Sequence, residues 1–77
     1  MTPNYSDFYE ILQVDPQADA TLILYAFRYL ATKYHPENTL TGSKEMYDRV
    51  VEAFRILSDD QRRAAYDHER KRATDPG

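Results

Sequence analysis

Apolar residues recur along the chain at helical spacing, in stretches separated by short polar breaks. Asp7-Phe8-Tyr9-Glu10 opens the first stretch as an acidic cap with Glu at the third helical position, a variant of the capping box. Phe8, Ile11 and Leu12 then lie at i, i+3 and i+4, which predicts a short helix apolar on one side. Val14-Asp15-Pro16 ends it, because the residue before a proline is pushed out of the helical region. Asp19 is the next cap, and residues 20–35 contain neither glycine nor proline. Ile23, Phe27, Leu30 and Tyr34 fall on one face there, flanked by the small Ala26 and Ala31. Pro36 ends this second helix at about His35. Residues 36–42 carry the loop formers, and Ser43 can cap a third helix with Tyr47, Val50, Phe54 and Leu57 on one stripe beside Ala53. Asp48, Arg49, Glu52 and Arg55 take its other side. Ser58-Asp59-Asp60-Gln61 reads as a capping box for a fourth helix, through Ala64, Ala65 and Tyr66 to about Arg70. Residues 1–6 read as a lead-in, 7–70 as the folded module, and 71–77 as a tail or the start of a linker.

Two long helices joined by a short loop, each with a single apolar stripe, must lie antiparallel with the stripes facing. The expected fold is all-α, a helical hairpin of the second and third helices with the short first helix and the fourth covering the open sides. Composition narrows the class further. The chain has 77 residues, 42% hydrophobic and 30% charged, which suits one small domain burying roughly 60% of its unfolded surface. The absence of cysteine excludes disulfides, thiolate metal sites and cysteine nucleophiles, and fits a reducing, cytoplasmic setting. A net charge of −3 argues against a general nucleic-acid or membrane-surface binder. No apolar run nears the ~20 residues that span a bilayer, and the N-terminus lacks a secretory pattern.

Several stretches resemble the J-domain, the DnaJ-type co-chaperone module. Asp7-Phe8-Tyr9-Glu10-Ile11-Leu12-Gln13-Val14 is similar to that family's opening, and residues 26–37 to its second helix and His-Pro-Asp loop. Glu52-Ala53-Phe54-Arg55-Ile56-Leu57-Ser58-Asp59 resembles its third helix, and Arg62-Arg63-Ala64-Ala65-Tyr66-Asp67 its closing segment. The resemblance implies a module that docks on a DnaK-type chaperone ATPase and stimulates ATP hydrolysis without doing chemistry itself. It assigns the contact to the loop His35, Pro36, Glu37 and Asn38, and to Arg28 and Lys33 on the second helix.

The chain departs from the family pattern within that surface. Glu37 stands for the family's Asp, moving the carboxylate out by one methylene, and Asn38 occupies a position that is usually basic. Leu24-Tyr25 replaces a basic pair, and Tyr29 another basic position. Gln13 takes the place of a glycine that often ends the first helix with positive φ. Leu22, Tyr25 and Tyr29 lie at i, i+3 and i+7 on the outer face, with Leu24 beside Arg28, forming a second apolar stripe that so small a module cannot bury. This supports an alternative function: a J-like interaction domain that no longer stimulates the chaperone. It would instead bind another protein, or another domain of a longer parent chain, through Leu22, Leu24, Tyr25 and Tyr29.

Other chemistry finds little support. His35 and His68 are the only histidines and neither has a second metal ligand at short spacing. No cofactor motif occurs. Glu37 with His35 lacks a nucleophile or oxyanion device beside it, so no enzyme is expected. Arg28 could pair with Glu37 across the helix end. Arg70-Lys71-Arg72 complements the dipole of the fourth helix and is too short a run for nucleic acid in an acidic chain.

Overall fold

The computed structural model describes residues 7–74, so the lead-in 1–6 and the end of the tail, 75–77, lie outside the described residues. Four helices occur among them and no strand: α1 (Phe8–Ile11), α2 (Ala20–Tyr34), α3 (Lys44–Leu57) and α4 (Asp60–Thr74). The all-α expectation is met. α2 packs along α3, and α1 and α4 also pack on α3. Ring pairs show that the hairpin is antiparallel: Phe27 stacks on Phe54 at 4.1 Å, while His35, just past the end of α2, meets Tyr47, nearer the start of α3.

Each helix start is held by a side-chain oxygen replacing a missing backbone acceptor. Asp7 accepts from the Tyr9 N–H, Asp19 from Leu22 and Ser43 from Met46. The fourth cap differs from expectation. Ser58 keeps a helical conformation and donates its N–H to Phe54 O at 2.9 Å, so it closes α3. Asp59 is left to cap α4, accepting from Gln61 and Arg62 at 2.9 and 3.0 Å. α4 also runs on to Thr74, past the end near Arg70 that the charge pattern suggested.

The core comprises Tyr9, Ile11, Leu12, Ala18, Ile23, Leu30, Val50, Ala53 and Leu57. Each of its larger apolar side chains contributes roughly 1.5–3 kcal/mol by leaving water. Phe27, Tyr34 and Phe54 are half-buried at its edge. In α1 the expected stripe is incomplete: Tyr9 is 1% exposed, while Phe8 is only half-buried and stacks on Tyr66 at 4.7 Å. The reason is the two-sided setting of α1, which packs on α3 and meets side chains of α4.

Polar contacts fasten α4, whose Ala64 and Ala65 are exposed. Tyr66 accepts the Phe8 N–H at 2.9 Å and donates to Asp7. The Tyr9 hydroxyl donates to Asp67 and accepts from Arg63 Nε at 3.0 Å. Arg63 further donates to the carbonyls of Pro16 and Ala18, at 3.1 and 2.6 Å. Burial, and then the Asp67 carboxylate, push the Tyr9 phenol above its ordinary value against the opposing Arg63. Burial raises Tyr66 likewise.

Candidate partner-binding site

α2 ends where Pro36 demands it. His35 takes the extended conformation that a following proline imposes, with φ −54° and ψ 133°. The chain then folds back through a dense set of local bonds. Asn38 N–H donates to His35 O at 2.8 Å, and Gly42 N–H to Asn38 O at 2.8 Å. The Asn38 side chain accepts from Leu40 and Thr41 at 3.1 and 3.2 Å and donates to Thr32 O at 3.4 Å. It therefore ties the loop to the last turn of α2, a local side-chain turn of the kind asparagine favours. Ser43 N–H to Tyr34 O, at 3.0 Å, closes the loop at its base.

Gly42 is needed for close approach. A Cβ at this position would fall closer than 3.0 Å to the carbonyl oxygens of both His35 and Asn38. The loop is thus built around a point where only hydrogen fits.

His35, Pro36 and Glu37 are all exposed at one end of the hairpin. His35 Nδ1 accepts the Glu37 N–H at 3.1 Å, and the ring meets Tyr47 edge-on at 5.3 Å and 75°. Glu37 is placed through its backbone by His35. The Arg28–Glu37 pair that the spacing allowed is not formed, and Arg28 is exposed. Lys33 lies over the rings of Tyr34 and Tyr29, at 5.5 and 6.0 Å from their centroids. Neither Arg28 nor Lys33 makes an ion pair with the described residues.

The outer face of α2 carries Leu22, Tyr25 and Tyr29, which are 49%, 60% and 66% exposed. Leu24 differs from the sequence expectation. It is half-buried, turned partly away from that stripe. The sequence named Asn38 as a contact residue but not as the organiser of the loop. It missed Leu40, which is 92% exposed at the loop tip. An apolar residue between two threonines, with no periodic partner, was the available signal for Leu40.

Among the described residues no cluster of three or more His, Cys, Asp or Glu could hold a metal ion. No helix there is long and apolar enough to cross a membrane.

An all-α module whose second and third helices form a hairpin joined by an exposed His-Pro-acid loop has the architecture of a J-domain. The chain belongs to the DnaJ domain family, whose model matches residues 7–67. It is 44% identical over 73 residues to the curved DNA-binding protein of Serratia proteamaculans, covering 94% of this chain and 24% of that protein. It is 48% identical over 65 residues to the chaperone protein DnaJ of Streptococcus pneumoniae, covering 83% of this chain and 18% of that one. The chain spans less than a quarter of the length of these relatives. The family is one of co-chaperone modules, not of enzymes.

Proposed function

We propose that the module docks on a DnaK-type chaperone ATPase and stimulates its ATP hydrolysis through His35, Pro36 and Glu37, flanked by Arg28, Lys33 and Asn38. The observation that carries this reading is the loop itself. Its outward residues are exposed while Asn38, Gly42 and Ser43 fix its backbone. A loop ordered before contact loses little conformational freedom on binding. Glu37 keeps the charge of the family's aspartate, so a partner cation can still be met. Single-turnover ATP hydrolysis tests the reading. Wild type should stimulate and His35→Gln should not. If wild type is silent and Glu37→Asp is active, the added methylene is the obstacle. Silence of all three rules out this function.

The second reading is an interaction domain that no longer stimulates the chaperone. The exposure of Leu22, Tyr25 and Tyr29 favours it, because such a face on α2 marks a protein contact. The partner would be another protein or another domain of a longer chain. DNA contact is not proposed for this module. The relative named for it has more than three quarters of its length outside the match, and this chain has net charge −3.

A further inference from the structure

We propose that the neutral imidazole of His35 carries its hydrogen on Nε2, so that Nδ1 shapes the His-Pro-Glu turn while Nε2–H is the donor shown to a partner. The turn belongs to the free module; the donor role rests on the co-chaperone reading above.

The Glu37 N–H donates to His35 Nδ1 at 3.1 Å. A ring nitrogen that accepts a hydrogen bond carries no hydrogen, so in the neutral ring the hydrogen must sit on Nε2. The bond joins a side chain to the backbone two residues on. It is the histidine counterpart of the turn that asparagine and aspartate make with their own backbone. Pro36, between the two partners, fixes its own φ and offers no competing N–H. Tyr47 of α3 sits edge-on to the ring at 5.3 Å and fixes its plane.

Protonation changes the turn. With a hydrogen on Nδ1, two donors face each other and the Glu37 N–H loses its partner. Of the titratable and charged groups, Tyr47 on α3 faces the His35 ring and Glu37 belongs to the turn, while Lys33 and Tyr34 precede it at the end of α2. The Lys33 ammonium lies against the Tyr29 and Tyr34 rings and has no lone pair with which to take the place of Nδ1 as acceptor for the Glu37 N–H.

Ring-nitrogen NMR on the free domain, from about pH 8 to about pH 5, tests the turn without any chaperone. The neutral His35 ring should show the Nε2–H pattern, and the Glu37 amide should shift in step with that ring and not with His68. A neutral ring protonated on Nδ1, or a Glu37 amide indifferent to the His35 titration, overturns the proposal. His35→Asn separates the two roles. Its side-chain oxygen can accept the same N–H at every pH, but nothing replaces Nε2–H. The Glu37 amide should stay in place and lose its pH dependence, while chaperone stimulation falls about tenfold or more. Full stimulation by His35→Asn overturns the donor role. If wild type fails to stimulate although ring and amide titrate together, the co-chaperone reading fails and the turn assignment stands.

Discussion

Arg70 reaches Asp7 across 63 positions of sequence, donating from Nε at 3.2 Å and Nη2 at 3.1 Å to one carboxylate oxygen. The other oxygen caps α1 at Tyr9 N–H and accepts from Tyr66. One buried aspartate therefore starts the first helix and anchors the last. Asp7→Ala removes a cap worth ~1 kcal/mol and a charge-assisted contact worth ~1.5–3 kcal/mol, so a loss of about 2–4 kcal/mol is expected. Arg70→Ala should keep the cap and lose the second part, together with the guanidinium's contact over the Tyr9 ring. Urea unfolding measures both. Truncation after Asp67, where the family match ends, should resemble Arg70→Ala in stability or be worse.

Gln13 holds φ 58°, the left-handed conformation that follows α1. Its N–H donates to Glu10 O and that of Val14 to Tyr9 O, both at 3.0 Å, which completes the double bond pattern of a glycine-type helix end. The side chain is exposed. Gln13→Gly should therefore stabilise the domain by about 1 kcal/mol, because the Cβ penalty disappears and no buried contact is lost. A higher urea midpoint at unchanged slope is the expected result.

Gly42→Ala should act in the opposite direction. The new methyl group meets two carbonyl oxygens of the loop backbone, so the loop must shift. A cost of about 1–3 kcal/mol is expected from such crowding. Amide shifts of residues 35–42 should move while those of α4 do not. Chaperone stimulation should fall even at temperatures where the domain stays folded.

Stability should decline at both ends of the pH scale for identifiable reasons. Tyr9 and Tyr66 are raised above 10.0 in the folded state, chiefly by burial. Between the unfolded and folded values the native state holds more protons, so stability falls as pH rises through that interval. Asp59 is lowered from 3.8, first by the Arg62 N–H and then by Gln61. Its contribution is complete above the unfolded value and is lost as pH falls through the folded one. Asp59→Asn should flatten the acid limb and Tyr9→Phe the alkaline limb of a stability–pH curve.

The hairpin was legible because Ile23, Leu30, Val50 and Leu57 repeat at helical spacing and all are buried. Three of the four caps were legible too, since a short polar side chain before an apolar run has few other uses. What stayed hidden were contacts between residues far apart in sequence. Tyr9 stands outside the Phe8, Ile11 and Leu12 stripe, yet it is buried, and Arg63 and Asp67 satisfy its hydroxyl. Asn38 reads as a lost positive charge, and only the backbone geometry shows it as the organiser of the loop. Ser58 reads as the cap of α4, but α3 runs on to it, and the cap falls to Asp59 instead.

Both functional readings draw on α2, one on Arg28 and Lys33 and the other on its aromatic stripe. Tyr25 and Tyr29 are mostly exposed, so replacing both by alanine should change stability by no more than about 0.5 kcal/mol each. Their role in binding can then be read without a folding defect. Lys33 lies over Tyr29 as well as Tyr34, so Tyr29→Ala also frees the lysine partly. A contact centred on the aromatic stripe should weaken about tenfold in the double variant and change little between about 0.05 and about 0.5 M salt. A contact steered by Arg28 and Lys33 should instead weaken steeply with salt and suffer more from Arg28→Ala than from the tyrosine changes. Titration calorimetry of a DnaK-type chaperone at the two salt concentrations distinguishes these outcomes. With no acidic residue in α2 and only two basic ones, the expected result is the shallow salt dependence.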